Sequence, residues 1–228
     1  MSIPKIIHQV WEGVSEPLPK HLFVLSETWK TFNPDWEYCL WGYDRMEELV
    51  FQQFPDFSDT YHSFPKGVQR WDAIRYMILY TYGGLYVDLD SECIEPIENI
   101  LKNKMCCFGM EPPEHSANFQ VEHLIGNAFM AAKPYQPFFK HIIEELRNFV
   151  FINNNVDNYV VQSTGPLMLN RVYNSYLQKN EIDLINYELV TPISKREVLL
   201  ILNGKETTDI EDKIEKAYAI HYFFGSWY

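Results

Sequence analysis

The segment from Lys66 to Asp90 constrains the fold more than any other part of the sequence, because one structural pattern gives way to another within it. Apolar residues recur at helical spacing through 66–82, which predicts a helix. Gly83 and Gly84 follow, and glycine is the residue that most often ends a helix in the left-handed conformation. The apolar run 85–87 then predicts a buried strand that leads directly into Asp88-Leu89-Asp90. A helix followed at once by a buried strand is typical of α/β proteins.

The same alternation continues along the chain. Short apolar and β-branched runs predict strands at 5–11, 36–41, 105–110, 125–132, 184–190 and 217–223, and longer periodic runs predict helices at 19–32, 43–54, 136–148 and 166–178. Asn153 to Asn155 predicts a loop and not a domain boundary. We therefore predict one α/β domain over residues 1–228 with a mainly parallel sheet, in which Asp88 and Asp90 lie at the carboxyl end of a strand, where such sheets bind ligands.

Composition excludes several classes of protein. A chain of 228 residues with 46% hydrophobic residues can bury a substantial core. Its net charge of −12 argues against nucleic-acid binding and against purely electrostatic docking on anionic lipid. No apolar run reaches the roughly 20 residues that a membrane-spanning helix needs, and the N-terminus has no signal-peptide pattern. The four cysteines lack metal-ligand or disulfide spacing, so we expect a cytoplasmic location.

The Asp-Leu-Asp triplet carries the chemistry. In extended backbone, residues two apart point to the same side, so Asp88 and Asp90 are expected to present their carboxylates to one place. Two carboxylates suit a hard cation such as manganese or magnesium, which also takes oxygens from a ligand diphosphate. Such a cation offsets the negative charge on a departing nucleoside diphosphate, which glycosyl transfer requires. Alone, the triplet is a weak signal, and solvated acids at a strand end are the alternative.

Asp72 and Arg75 lie on the helix that precedes the triplet. They are three residues apart and therefore share one helix face. We expect the pair to return toward the crevice beside Asp88 and Asp90, where Asp72 would accept from ribose or sugar hydroxyls and Arg75 would meet phosphate. The alternative is an exposed ion pair within the helix.

Four blocks in matching order make the chain resemble glycosyltransferase family 32. The blocks are Ile3–Trp11, Arg70–Asp90, Ile125–Met130 and Tyr218–Trp227. The second is the most specific, because it combines Asp-x-x-Arg with Tyr-x-Asp-x-Asp, a spacing shared more distantly with the glucosyltransferase domain of large clostridial toxins. The resemblance implies a GT-A type, Rossmann-like fold and a retaining enzyme that uses a nucleotide-sugar donor.

The resemblance also implies contacts with the donor. Trp11 would stack on the nucleotide base, with Gln9 beside it on the first strand, and Tyr86 would pack near the ribose. Asn127 and the loop 162–166 would meet the donor sugar. Ser226 and Trp227 would donate hydrogen bonds to the β-phosphate. For Trp11 and Tyr86 the alternative is an ordinary place in the core.

The implied metal site uses three residues. Asp90 would be the principal ligand of Mn²⁺ or Mg²⁺, and Asp88 would divide its oxygens between the metal and donor hydroxyls. His221 would complete the shell through a neutral ring nitrogen, with a purely structural histidine as the alternative. Asp72 and Arg75 match positions that contact ribose, sugar or phosphate.

The predicted activity is transfer of a hexose from a nucleotide-diphosphate sugar to a glycan or a lipid-linked saccharide, as in capsule or surface polysaccharide synthesis. The toxin likeness favours a UDP-sugar, whereas mannosyl members of the family use GDP-mannose. No residue is identifiable from the sequence as a carboxylate nucleophile. This favours a front-face mechanism in which the departing phosphate accepts the proton of the acceptor hydroxyl. A non-catalytic nucleotide-sugar-binding module and a metal-dependent phosphatase are the alternatives.

Two further expectations concern the ends of the chain. Because the first predicted strand begins within the first few residues, we expect little more than a catalytic domain. Phe223, Phe224 and Tyr228 are the aromatic residues that we expect at a peripheral contact with a membrane.

Overall fold

The computed structural model describes residues 2–11, 17–147, 159–205 and 207–225. Its strands are β1 (Ile6–Val10), β2 (Glu37–Trp41), β3 (Gly84–Val87), β4 (Ser91–Cys93), β5 (Cys106–Met110), β6 (Ile125–Ala132), β7 (Asp183–Ile185) and β8 (Ala219–His221). Its α-helices are α1 (Lys20–Phe32), α2 (Tyr43–Gln53), α3 (Ser58–Ser63), α4 (Gly67–Tyr82), α5 (Glu98–Leu101), α6 (Pro113–Asn118), α7 (Pro137–Arg147), α8 (Tyr159–Ser163), α9 (Pro166–Ser175), α10 (Tyr187–Val190), α11 (Lys195–Leu202) and α12 (Thr208–Ile214).

Six of these strands form one sheet in the order β2-β1-β3-β6-β5-β7, and β4 pairs with β8 in a smaller antiparallel sheet. The pairs β1–β2, β1–β3 and β5–β7 are parallel, whereas β6 runs antiparallel to both β3 and β5. The predicted α/β class with a mainly parallel sheet is therefore confirmed, with β6 as the exception. Because β6 reverses between them, β1, β3 and β5 all run in the same direction. Their last residues share one end of the sheet, which we call the carboxyl end.

Helices cover both faces of the six-stranded sheet. On one face, the buried helix α4 packs with α7 against side chains such as Tyr86, Phe108 and Met130. On the other face, Trp29 of α1 packs with Leu85 and Phe129. The Trp29 ring nitrogen also donates to the carbonyl of Ser91, 2.8 Å away, which fixes α1 to the small sheet. Full burial of a large apolar side chain contributes about 1.5–3 kcal/mol, so both faces stabilise the sheet strongly.

The join between α4 and β3 depends on two glycines with positive φ. Gly83 has φ +66° and Gly84 has φ +94°, conformations that side-chain-bearing residues rarely adopt. A Cβ atom on Gly84 would lie 2.5 Å from the carbonyl oxygen of Ile6, so the close approach of β1 to β3 also requires glycine there. The glycine pair thus sets the position from which β3 runs to the carboxyl end.

His8 of β1 is buried beside this join. Its Nδ1 accepts from the ring nitrogen of Trp41, 3.1 Å away, and because tryptophan can only donate, the His8 proton is on Nε2, 2.9 Å from the carbonyl oxygen of Gly83. Burial lowers the pKa of His8 to about 4, against the smaller raising effect of the Gly83 carbonyl. His8 is therefore neutral in the fold at any pH above that value.

This burial predicts a loss of stability in mild acid. The unfolded chain binds a proton at His8 near pH 6.5, whereas the folded chain does so only near pH 4. The contribution of neutral His8 to the free energy of unfolding is therefore fully present above pH 6.5. It is lost as the pH falls between the two values, and it decreases by about 2 kcal/mol from pH 7 to pH 5. Urea unfolding of the wild type and of His8→Gln at both pH values measures this difference. Parallel pH profiles for the two proteins would contradict the assignment.

Two segments differ from the sequence-based expectation. The strand predicted at 184–190 is wrong beyond Ile185, because Asn186 begins α10 by accepting from the amide of Glu188, 3.2 Å away. The strand predicted at 217–223 is shorter, since only Ala219–His221 pairs with β4. The sequence analysis did not predict strand β4 or the short helices α3, α5, α6, α8, α11 and α12. The loop predicted at 153–155 lies outside the described residues.

Candidate metal and donor site

Asp88, Asp90 and His221 converge at the carboxyl end of the sheet. Each offers one ligand atom, and these atoms lie within 4.8 Å of one another. His221 Nε2 is 3.1 Å from Asp90 Oδ1 and 3.9 Å from Asp88 Oδ2. Two carboxylates and an imidazole form a ligand set that fits Mn²⁺ or Mg²⁺, with further positions open to water or phosphate.

The backbone route to this cluster differs from the prediction. Asp88 and Asp90 do not lie on an extended strand, because the chain turns after β3 and the amide of Ser91 donates to the carbonyl of Asp88, 3.1 Å away. β4 starts at Ser91, and Ser91 is opposite His221 in the small sheet. The two carboxylates therefore meet because of a turn and the pairing of β4 with β8, and not because of the two-residue strand repeat.

Charge interactions bind His221 to Asp90 in the structure. Burial acts to lower the pKa of His221, but the neighbouring carboxylates of Asp90, Asp88 and Glu111 outweigh it and raise the pKa to about 9. Burial likewise acts to raise the pKa of Asp90, yet His221 and the amide of Phe224, 2.9 Å from Asp90 Oδ2, lower it. His221 Nδ1 is buried and has no hydrogen-bond partner among the described residues. As a metal ligand His221 would be neutral, so a bound cation would take the place of its proton.

The two carboxylate oxygens of Asp88 have different surroundings. Its Oδ1 accepts from Arg75 Nη1 at 3.0 Å and from the Tyr86 hydroxyl at 2.7 Å, while Oδ2 is the oxygen nearer His221. Gln9 donates to the Asp88 carbonyl at 3.0 Å and accepts from the Tyr38 hydroxyl at 2.6 Å. Gln9 is fully buried with both ends of its amide bonded, so it helps to hold the Asp88 turn in place.

Asp72 and Arg75 form a buried pair beneath the turn. Arg75 Nη2 is 3.2 Å from Asp72 Oδ1, and the side chains are 4% and 1% exposed, which excludes an exposed intrahelical ion pair. Asp72 also accepts from Asn127 Nδ2 at 2.9 Å and from the Thr164 hydroxyl at 2.7 Å. Burial raises the pKa of Asp72 to about 6, and Arg75, Thr164 and Asn127 act in the opposite direction. Bonds from Arg75, Asn127 and Thr164 thus hold the Asp72 carboxylate inside the protein.

Arg75 joins this pair to the metal cluster. Its guanidinium also donates to the carbonyl of Asn127 at 3.0 Å and lies 4.9 Å from the centre of the Tyr86 ring. One arginine thus bridges α4, the Asp88 turn and β6. Thr164, in the loop predicted to lie near the donor sugar, is buried and donates to Asp72.

The remaining predicted residues fall into three groups. Trp11 is partly buried at the carboxyl end directly after β1, and its amide donates to the carbonyl of Trp41, 2.9 Å away. Tyr86 is buried, and its hydroxyl bonds Asp88, so its described contact is with the metal cluster. Ser226 and Trp227 lie outside the described residues, as does Tyr228.

Comparison with known proteins agrees with this geometry. Residues 19–106 match the family described as "Glycosyltransferase sugar-binding region containing DXD motif". Over 175 residues the chain is 31% identical to inositol phosphoceramide mannosyltransferase 3 of Schizosaccharomyces pombe, an alignment that covers 77% of this chain and 46% of the relative. The chain belongs to glycosyltransferase family 32. It is also 24% identical to the initiation-specific alpha-1,6-mannosyltransferase of Candida albicans, over 98% of this chain and 72% of the relative.

Among solved structures, the family 32 chain resembles the PaToxG glycosyltransferase. The TM-score is 0.58 at 15% identity, and the match covers 93% of this chain and 79% of the other. This likeness confirms the predicted GT-A fold. The chain spans about half the length of the fission-yeast relative that it matches. None of the helices in the described ranges is long and apolar enough to cross a membrane.

One acidic residue of the site was missed by sequence reasoning. Glu111 directly follows β5 at the carboxyl end and is buried, with His115 Nδ1 2.9 Å from its Oε2. A single acid after an apolar strand is too common a pattern to have been recognised without the pairing of β5 beside β6.

Proposed function

We propose that this family 32 chain transfers mannose, or a related hexose, from a nucleotide-diphosphate sugar to a hydroxyl of a glycan or a lipid-linked saccharide. The observation that carries the proposal is the convergence of Asp88, Asp90 and His221 at the carboxyl end of the sheet. The mannosyltransferase names of the relatives support mannose as the sugar.

The described residues suit the departure of a nucleoside diphosphate. A divalent cation held by Asp90, Asp88 Oδ2 and His221 would supply the positive charge that stabilises the leaving diphosphate. Arg75 fixes Asp88 through Oδ1, so that Oδ2 stays directed at the cluster. Trp11, at the end of β1, would stack on the base. Retention of the anomeric configuration by a front-face route is part of the proposal, with the proton of the acceptor passing to the departing phosphate oxygen.

The relatives change the expected donor and acceptor. A mannosyl donor is now preferred over the UDP-sugar that the toxin likeness favoured. GDP-mannose is therefore the first nucleotide sugar to test, and UDP-hexoses are the second. The relatives' names include an inositol phosphoceramide acceptor, which is a lipid-linked alcohol. Neither named relative refers to capsule synthesis, so capsular polysaccharide is not carried into the proposal.

A thermal-unfolding panel tests the proposed donor site. With Mn²⁺ and the matching nucleotide at about 100 times Kd, binding adds about 2.7 kcal/mol, so Tm should rise by roughly 5–10 °C. Mn²⁺ alone or nucleotide alone should give only a small part of this rise. The panel pairs GDP with GDP-mannose and UDP with UDP-glucose, each with Mn²⁺ or with EDTA.

The same samples separate turnover from binding. Slow metal-dependent hydrolysis of the nucleotide sugar is expected of a transferase without its acceptor, whereas a non-catalytic module would bind the donor and leave it intact. If no nucleotide raises Tm in the presence of Mn²⁺ or Mg²⁺, the proposed function is wrong.

A further inference from the structure

The order of strands fixes the direction in which a donor would lie. The sheet runs β1-β3-β6-β5 at the carboxyl end, with Trp11 after β1 and the metal cluster after β3. In the proposed function, on which this step rests, the base is at Trp11 and the diphosphate is at Asp88 and Asp90. The sugar, which follows the diphosphate, then extends over β6 and β5.

Glu111 lies at the far side of that path. Its amide donates to the carbonyl of Leu124 at 2.9 Å, which places it beside the start of β6. Its carboxylate reaches back along β6, because a Cβ atom on Gly126 would lie only 2.6 Å from Glu111 Oε1. Asp88 bonds the same strand at Ala128. Gly126 and Ala128 are two positions apart on this strand, roughly 7 Å, which is comparable with the width of a hexose ring.

His115 orients the Glu111 carboxylate. Its Nδ1 is 2.9 Å from Glu111 Oε2, and its Nε2 accepts from the amide of Lys195, 3.1 Å away. Because Nε2 is an acceptor there, Nδ1 carries the proton and donates to Glu111. With both ring nitrogens bonded, His115 has no free nitrogen for acid–base work and acts as a positioning residue. Among the described residues only His115 bonds this carboxylate, which leaves Oε1 for a ligand.

The metal cluster and the Glu111–His115 pair share one aromatic contact. The Phe223 ring centre is 4.1 Å from that of His221 and 4.8 Å from that of His115. The metal cluster and the Glu111–His115 pair are therefore packed against the same aromatic ring at the carboxyl end.

We infer that Glu111, held by His115, accepts hydrogen bonds from hydroxyl groups of the donor hexose and so contributes to the choice of sugar. His115 fixes Oε2 of this buried carboxylate, and Oε1 is available to accept from sugar hydroxyls. Such charge-assisted hydrogen bonds are about twice as strong as neutral ones. Gly126 allows this placement because any side chain there would occupy the position of Oε1.

The test compares the affinity for a nucleotide sugar with that for the nucleoside diphosphate alone. Glu111→Gln should weaken binding of GDP-mannose with Mn²⁺ by about 10–100-fold, the equivalent of one charged hydrogen bond. Binding of GDP with Mn²⁺ should stay within about twofold, because GDP does not reach β5. UDP-glucose and UDP replace this pair if they are the ligands that the wild type binds. Isothermal titration gives both constants.

Two further variants separate the role of Glu111 from general damage. Glu114→Gln is the matched control, since Glu114 is partly exposed on α6 and pairs with Arg196 at 3.4 Å, and it should change neither affinity. Gly126→Ala should displace the Glu111 carboxylate and likewise weaken binding of the nucleotide sugar but not of the nucleoside diphosphate. If Glu111→Gln fails to fold, Gly126→Ala provides the same test. Equal weakening of both ligands, or no weakening of either, would overturn the inference. Failure of the wild type to bind any nucleotide would instead remove the proposed function itself.

Discussion

Replacing Asp90 by asparagine is expected to lower kcat/KM for the nucleotide sugar by at least about 1,000-fold, which corresponds to about 4 kcal/mol of lost transition-state stabilisation. Asp90 contacts both His221, at 3.1 Å, and the backbone amide of Phe224, at 2.9 Å. Asparagine keeps the shape but removes the charge that a divalent cation requires. The Mn²⁺-dependent rise in Tm with nucleotide should disappear in the same variant.

Glu92→Gln is the matched control for Asp90→Asn. Glu92 lies two residues further on, in β4, and accepts from the Tyr222 hydroxyl outside the metal cluster. It should keep both the Tm shift and activity within about threefold, because only interactions made in the transition state affect the chemical step. An Asp90→Asn protein that keeps the full metal-dependent shift would place the metal site elsewhere.

The fold was predicted well where the pattern is local. The helix at 67–82, the two glycines and the strand at 84–87 follow one another in sequence, and their periodicity specifies them without distant information. The antiparallel direction of β6 was not predicted, because an apolar run reads the same in both directions. The helix α10 was missed since the side chain of Asn186 decides between strand and cap only in its folded surroundings.

The candidate site likewise has residues that local spacing identifies and properties that only the folded structure shows. Asp72 and Arg75, and likewise Asp88 and Asp90, are neighbours in sequence, so their spacing alone brought them under consideration. Their depth was not predicted: Arg75 and Asp72 are buried because α4 is covered on every side by the sheet and other helices. Burial of this kind depends on long-range packing, which a single periodic segment does not encode.

The place of Glu111 in the site could not be predicted from spacing in the sequence. It is 21 positions after Asp90, and only the insertion of β6 between β3 and β5 brings it to the carboxyl end beside the metal cluster. The roles of Gln9 and Tyr38 also depend on pairing, because β1 and β2 must be in register before their side chains meet. Residues that hold the site together are therefore harder to predict than those that were expected to bind the ligand.

Arg75→Met is expected to destabilise the protein by about 3–5 kcal/mol at pH 7, because it leaves buried carboxylates without their partner. Arg75 contacts Asp72 at 3.2 Å, Asp88 at 3.0 Å and the Asn127 carbonyl at 3.0 Å. Asp72 is 1% exposed, so water cannot replace the lost guanidinium. Transferase activity should fall as well, since Asp88 Oδ1 would lose one of the two donors that orient it.

A double-mutant cycle separates the charge effect from lost packing. Asp72→Asn removes the buried carboxylate that Arg75 neutralises, so Asp72→Asn/Arg75→Met should be more stable than Arg75→Met alone, by about 1–3 kcal/mol. Urea unfolding of the wild type, both single variants and the double variant gives the coupling. Arg75→Lys keeps the charge but lacks the planar fork that reaches three acceptors, so it should recover part of the stability and little of the activity. Additive losses in the cycle would mean that Arg75 supports the fold by packing, and that its charge does not hold the Asp88 turn in place.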